Sequence, residues 1–344
     1  MKKRIGVVAN HKTINYGTML QALATQRALE RLGFAVETIS LEGIEDDIKS
    51  RKMHYFRTQM SKRELLESKL PYLKKQIRAK LNHGFAEQLR NRGTVFRAFR
   101  EEQFPMSEIC KDREELRRLS RKYDTVLVGS DQIWLPSNIA ADVFTLNFVP
   151  EEINKVAYAS SFGVSNLPQK QEKFAGAFLN RINHVSVREL SGQRIVEAVA
   201  KRKVPVVCDP TMLFTGEEWM RIIPKMKMRK EPYIFCYFLG NNPEQRKWAS
   251  RVRRKTGLQI VAPLHMDEYI KSDVRFPDLS PFDMGPKEFL NYIREAEYVI
   301  TDSFHGTVLS VLNGKRVFTF DRFRKNAAVS TNTRIDSLYT LLGI

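Results

Sequence analysis

The chain has 344 residues, 42% of them apolar and 10% aromatic, with a formal net charge of +18. That length exceeds one ordinary core and suits two α/β domains. No apolar run approaches the roughly 20 residues of a membrane span, the run after Met1-Lys2-Lys3-Arg4 is too short for a signal peptide, and the scattered Cys110, Cys208 and Cys236 form neither a disulfide framework nor a metal site, so a cytoplasmic protein is expected.

A first strand is expected at Ile5 to Val8, followed by the polar loop from Asn10 to Thr18. A helix should run from about Met19 to Leu32, with Leu20, Leu23, Ala24, Ala28, Leu29 and Leu32 on one face and Gly33 as its C-cap. The strand Ala35 to Ile39 then makes a parallel pair with the first, through a right-handed crossover. The glycines do not match the dinucleotide fingerprint.

Lys49 to Lys122 follow, with 21 basic and 9 acidic residues, so two thirds of the excess charge sits in under a quarter of the chain. Helix is expected from Ser61 to about Leu81 and from Phe85 to Arg100. Such a block either forms a solvated face or steers an anionic partner: nucleic acid, an anionic membrane surface or a diphosphate-linked substrate. The last two are favoured, because charge alone specifies no nucleic-acid site.

The sheet returns with Thr125 to Val128, which stops at Gly129-Ser130-Asp131-Gln132-Ile133-Trp134, and with Lys155 to Ala159, which stops at Ser160-Ser161-Phe162-Gly163. A helix from Gln169 to Asn180 leads to the strand Val185 to Glu189, a helix from Ser191 to Ala200, and the strand Val204 to Val207, which ends at Cys208-Asp209-Pro210-Thr211. After a linker, Ile223 to Pro232, strands are expected near Tyr233 to Phe238 and Leu258 to Val261, with helices near Pro243 to Thr256 and Pro286 to Ala296. Tyr298 to Thr301 forms another strand, which breaks at Asp302-Ser303-Phe304-His305-Gly306 before an apolar helix, and Arg316 to Phe320 is the last strand. A final helix is expected from Asn332 to Leu342. The expected domains are residues 1–222, carrying a basic helical insertion at about 45–122, and 223–344.

In open parallel sheets the loops at the carboxyl ends of the strands line the ligand site. That places Asn15, Gly17, Thr18, Ser130, Asp131, Arg188 and His305 along one edge. Arg188 and His305 suit a small dianion held by charge-assisted bonds, helped by free N–H groups at the helix after Ser303. His305 also fits a packed histidine beside a helix cap. Asp131 suits a general base if partly desolvated, or a turn aspartate. Trp134 and Trp219 suit core positions or a stacking platform for sugar. His11 and His265 lie where they can reach the cleft, and His54 and His83 should face solvent. No pair of histidines has metal-ligand spacing.

Six segments in order resemble the polysaccharide pyruvyl transferase family. They are Asn15-Tyr16-Gly17-Thr18-Met19-Leu20-Gln21-Ala22, Val128-Gly129-Ser130-Asp131-Gln132-Ile133-Trp134, Ala157-Tyr158-Ala159-Ser160-Ser161-Phe162-Gly163, Ser186-Val187-Arg188-Glu189, Asp209-Pro210-Thr211 and Thr301-Asp302-Ser303-Phe304-His305-Gly306. The resemblance implies two Rossmann-like domains facing a cleft, similar to the GT-B glycosyltransferases. It implies transfer of a pyruvyl group from phosphoenolpyruvate to two hydroxyls of a glycan or lipid-linked sugar, in cell-surface polysaccharide assembly at the inner face of the membrane, with no cofactor and no metal. It further implies donor binding by Arg188 and His305. The residues themselves add Ser303 and Gly306 on the donor side, His305 and Asp131 for the chemistry, and Asn15, Tyr16, Gly17, Thr18, Ser130, Gln132 and Trp134 for the acceptor. One departure stands out: many members have Arg-Leu-His where this chain has Ser303-Phe304-His305. Lys315, Arg316, Arg322 and Arg324 are candidates for the replacement charge. The departure keeps open a GT-B-type glycosyltransferase or related enzyme with another anionic donor.

Overall fold

The computed structural model describes residues 2–59, 62–263, 265, 270, 273, 275–322 and 338, with backbone only at 62–69, 71 and 72. Its strands are β1 (Arg4–Val8), β2 (Ala35–Thr38), β3 (Thr125–Val128), β4 (Asn154–Ser160), β5 (His184–Val187), β6 (Tyr233–Tyr237), β7 (Gln259–Val261), β8 (Tyr298–Thr301) and β9 (Arg316–Thr319). They form two parallel sheets, ordered β2-β1-β3-β4-β5 and β7-β6-β8-β9. The helices are α1 (Tyr16–Arg31), α2 (Glu45–Gln59), α3 (Lys62–Leu81), α4 (His83–Gln103), α5 (Arg113–Ser120), α6 (Pro136–Ala141), α7 (Gln169–Arg181), α8 (Leu190–Ala200), α9 (Gly216–Ile222), α10 (Pro243–Thr256), α11 (Pro286–Glu295) and α12 (Phe304–Leu312). The basic insertion is thus helical, from α2 through α5.

Period-2 alternation divides the strands between cores. Tyr233, Phe235 and Tyr237 of β6 face a central core that also holds Ile5 and Val7 of β1, whereas Ile234 and Cys236 face an outer one. On the other side of the first sheet, Val8, Val126 and Val128 pack into a separate core. The central core lies between the two sheets and joins them.

Helix α1 runs through that central core. Asn15 starts it as an N-cap, its side-chain oxygen accepting the Thr18 N–H at 3.1 Å, and Gly33 (φ 91°) follows it in the left-handed region. The expected single apolar face is too narrow a description. Burial is continuous from Tyr16 to Gln26, because α1 packs against the first sheet and against the second domain at once, while Leu32 is exposed. Tyr16 stacks on Phe289 of α11 with ring centroids 4.5 Å apart and a 2° interplanar angle, and Phe96 of α4 packs at 5.1 Å. Each such aromatic pair adds about 1 kcal/mol beyond area burial.

Two further expectations need correction. Val204 to Val207 makes no strand; Val206 forms a single bridge with Val187, since Pro205 has no N–H to extend a ladder. Helix α2 falls within the expected helical insertion, but its own bounds were not anticipated because its apolar positions show no regular period. The expected final helix lies outside the described residues except for Leu338, which is buried against Phe304 and Val308. No described helix is long and apolar enough to cross a membrane.

Candidate active site

In both sheets the strand order turns back beside the first strand of the unit, between β1 and β3 and between β6 and β8. Loops diverge there and leave a crevice at the carboxyl ends. The two crevices open into one cavity of about 320 Å³. Asn15, Thr18, Asp131 and Gln132 line one wall, and Leu239, Ser303 and His305 the other. Lys52 of α2 and Arg322, just after β9, also line it. A wider groove of about 520 Å³, beside Arg294 and Asn313, lies away from these loops.

His305 is the second residue of α12 and sits where the domains touch. A Cβ at Gly17 would lie 2.3 Å from its Nδ1, so only glycine lets α1 approach the ring. Its Nε2 lies 3.4 Å from Asp209 Oδ2. Asp209 also accepts from Arg188 Nη1 at 2.9 Å and from Ser130 Oγ at 2.8 Å, while its other oxygen accepts the Thr211 N–H at 3.0 Å. Burial alone would raise its pKa, but His305, Arg188 and the Thr211 N–H outweigh burial and hold the carboxyl far below the usual range.

Arg188 lies beneath this floor, 4% exposed, with its guanidinium 4.9 Å from the Phe304 ring centroid. Burial opposes its charge, yet Asp209, Glu189 at 3.5 Å and Asp131 at 3.7 Å more than offset that and raise its pKa. Asp131 has φ 79°, an uncommon left-handed conformation for a side-chain-bearing residue. Thr18 Oγ1 donates to its Oδ2 at 2.6 Å. Against burial, Arg188, His305 and the Thr18 hydroxyl lower its pKa, so Asp131 stands ionised in the wall.

The polysaccharide pyruvyl transferase family pattern matches residues 15–322. The chain belongs to that family. No functionally curated protein matches the sequence significantly. Among solved structures, a Listeria monocytogenes protein assigned as a UDP-N-acetylglucosamine 2-epimerase is similar, at 12% identity and TM-score 0.50, over 100% of this chain and 89% of that one. A UDP-GlcNAc 2-epimerase from Neisseria meningitidis (12%, TM-score 0.49) covers 99% of this chain and 91% of its own. The heptosyltransferase WaaC of E. coli (14%, TM-score 0.39) covers 99% of each. The likeness to the first of these shows the fold alone, the two-domain GT-B arrangement.

Against the family segments, the structure redistributes several expected roles. Tyr16 is fully buried in the seam, with its hydroxyl donating to the Met284 carbonyl at 3.3 Å, so it has no surface for an acceptor. Trp134 is likewise buried: its Nε1 donates to the Phe144 carbonyl and its ring packs on Phe162 and Phe178. Trp219 is core as well. Ser130 is spent on Asp209, and Gly17 on the His305 ring. Arg188 is sealed under Phe304 and organises the floor instead of facing the cavity. Ser303 caps α12, its Oγ accepting the Gly306 N–H at 3.2 Å, so Gly306 has no free donor for an anion. Asn15, Thr18, Asp131, Gln132, Ser303 and His305 do line the cavity.

Sequence reasoning left out, among others, Asp209 of the floor and Lys52, Ser137, Asn138 and Leu239 of the cavity wall. For Asp209 the signal was available, an Asp-Pro-Thr at the end of an apolar run; for Lys52 there was none beyond its place in the basic block. Asp302 instead braces the loop after β6, accepting from the Leu239 and Gly240 N–H groups at 2.7 and 2.9 Å. His265 bonds the Leu239 carbonyl at 2.8 Å. His11 is buried behind the cleft, its Nδ1 3.1 Å from the Ala9 carbonyl, and burial pushes its pKa down to about 4. Of the candidate replacement cations, Arg322 lines the cavity, Arg316 pairs with Glu297 at the far end of β9, and Arg324 lies outside the described residues.

Proposed function

We propose that this chain transfers the pyruvyl group of phosphoenolpyruvate to two hydroxyls of a sugar, forming a cyclic ketal on a cell-surface polysaccharide precursor. The observation that carries the reading is the composition of one cavity within a family member's cleft. A histidine, two cations and an ionised aspartate surround it, with a helix N-terminus behind the histidine. Phosphoenolpyruvate brings a carboxylate and a phosphate, which such a wall suits. Arg322 supplies a cation on the side where Ser303 stands.

The chemistry balances as follows. One sugar hydroxyl adds to the enol carbon while its proton goes, directly or through His305, to the methylene carbon, which becomes a methyl. The carbon–oxygen bond to phosphate then breaks, giving an oxocarbenium-like centre, and the second hydroxyl closes the ketal. That hydroxyl's proton leaves with the phosphate. In this scheme His305 moves protons at the phosphate side, and ionised Asp131 stabilises the positive centre electrostatically. Its lowered pKa makes it a weak base, so electrostatic support and hydroxyl positioning are assigned to it. Asn15, Thr18 and Gln132 are assigned to the acceptor. A lipid-linked diphosphate sugar at the anionic inner membrane face fits the basic insertion.

The test is phosphate release from phosphoenolpyruvate with a panel of free and lipid-linked glycans. Wild-type protein should release phosphate and His305→Ala should not; silence across the whole panel refutes the reading. A second reading, a transferase of this fold with another anionic donor, is favoured by one observation. Arg188 is sealed away and Ser303 is committed to its cap, so neither offers the donor a charge. Thermal-shift comparison of phosphoenolpyruvate with nucleotide sugars separates the two.

A further inference from the structure

Helix α2 opens the basic insertion, and its cations fall into two kinds. Lys49 lies 3.3 Å from Asp46 and 3.6 Å from Glu45, and Arg51 lies 3.0 Å from Asp47. Lys12, packed beside them, is held by Glu42 at 3.1 Å and by Glu45. Lys52 is different: among the described residues it has neither an ion-pair nor a hydrogen-bond partner, although it is half-buried. Desolvation lowers its pKa, with no carboxylate to oppose that effect. A half-buried ammonium without a counter-charge is costly, and in a cleft the natural counter-charge is a ligand's.

Its position says which part of a ligand it meets. Lys52 lines the main cavity together with His305 and Arg322. It also lines an adjoining pocket of about 140 Å³ under α2, walled by Leu41, Ile48 and Phe144. Asn10 and Lys52 are the residues that the two spaces share. Lys52 therefore stands at their junction, and Arg322 of the other domain lines the main cavity with it.

We propose that Lys52 binds phosphoryl oxygens of the cleft ligand, which makes the insertion helix part of the substrate site. The inference rests on the reading of the cleft as one for phosphorylated substrates. The same chemistry has two sources, the phosphate of the donor or the diphosphate of a carrier-linked acceptor. A lysine serves either one as a point charge.

The test titrates the full-length protein calorimetrically with phosphoenolpyruvate and, separately, with inorganic diphosphate. Lys52→Ala should weaken binding of one of them by about tenfold or more, the range of a charge-assisted hydrogen bond. Lys52→Arg should restore most of the affinity. Arg57→Ala, exposed on the same helix, should leave both affinities unchanged. Since Lys52 holds no partner among the described residues, Lys52→Ala should keep the wild-type melting temperature. Loss toward phosphoenolpyruvate assigns Lys52 to the donor, and loss toward diphosphate to the acceptor's carrier. Diphosphate binding that depends on Lys52, in a protein blind to phosphoenolpyruvate, retires the proposed donor and keeps this inference. Unchanged affinities in Lys52→Ala, an equal loss in Arg57→Ala, or no binding of either probe overturns the role of Lys52; the first two leave phosphoenolpyruvate binding by the wild type standing.

Discussion

His305 and Gly17 meet across the boundary between the two domains, so closely that a Cβ on the glycine would fall 2.3 Å from Nδ1 and 2.6 Å from Cγ. Gly17→Ala must therefore push the imidazole off Asp209. We expect a stability loss of about 1–3 kcal/mol from overpacking and a fall of about a hundredfold in phosphate release from a misplaced reacting group. Thermal melts and a phosphate assay on the same preparation check both, and wild-type turnover in the folded variant would show that His305 need not be held there.

Asp209 is the anchor of the buried charge network. Asp209→Ala leaves Arg188 with its bond to Ser130 Oγ at 3.3 Å and the longer contacts to Asp131 and Glu189. We expect a loss of about 3–5 kcal/mol in urea unfolding. A double-mutant cycle with Arg188→Met should show strong coupling, because the second change removes the charge that the first one strands. Additive losses would mean that the pair is not coupled in solution.

Asp131 carries a left-handed backbone, which asparagine tolerates almost as well. Asp131→Asn should therefore stay within about 1 kcal/mol of wild type in stability yet lose most of its activity. Because Arg188 and His305 hold the wild-type carboxyl low against burial, Asp131 should be fully ionised throughout the neutral range. The pH–rate profile should accordingly show no ascending limb between pH 5 and 7 that vanishes in Asp131→Asn. Such a limb would return Asp131 to the role of a titrating base.

His11 sets an acid limit on stability. Its folded pKa of about 4 lies below the ordinary value, so between about pH 6.5 and 4 the unfolded chain binds a proton that the folded chain refuses. Stability should be free of this cost above pH 6.5 and fall as the solution is acidified, by about 3 kcal/mol at pH 4 from this group. Urea titrations of wild type and His11→Asn at several pH values measure it, and parallel pH curves for the two proteins would remove the assignment.

Much of the fold could be read from the sequence because parallel strands announce themselves. Apolar runs such as Thr125 to Val128 end abruptly in small polar residues, Gly129-Ser130-Asp131, and such ends became cavity walls. What stayed hidden was the inward or outward direction of individual side chains. Tyr16 sits beside polar loop residues in sequence, yet it turns into the seam because α1 is buried on more than one side. Trp134 follows Asp131 by three residues, and the turn at φ 79° sends the chain back into the core. Arg188 is polar at a strand end, as a ligand-binding residue should be, but its neighbour Glu189 and two acidic residues from distant segments, Asp131 and Asp209, claim it. Lys52 was illegible because nothing local distinguishes a lysine that lacks a partner from its paired neighbours.

The stack of Tyr16 on Phe289 adjoins Gly17 in the chain, so the tightest part of the seam lies next to the histidine. Any swing of one domain against the other must pivot close to this aromatic hinge pin. Points near a pivot travel least, and points far from it travel most. His305 and Asp209 lie close to this pin, whereas Lys52 of α2 and Arg322 after β9 line the cavity from its two sides. On the proposed function, substrate capture and alignment of the reacting groups would fall to opposite ends of one lever.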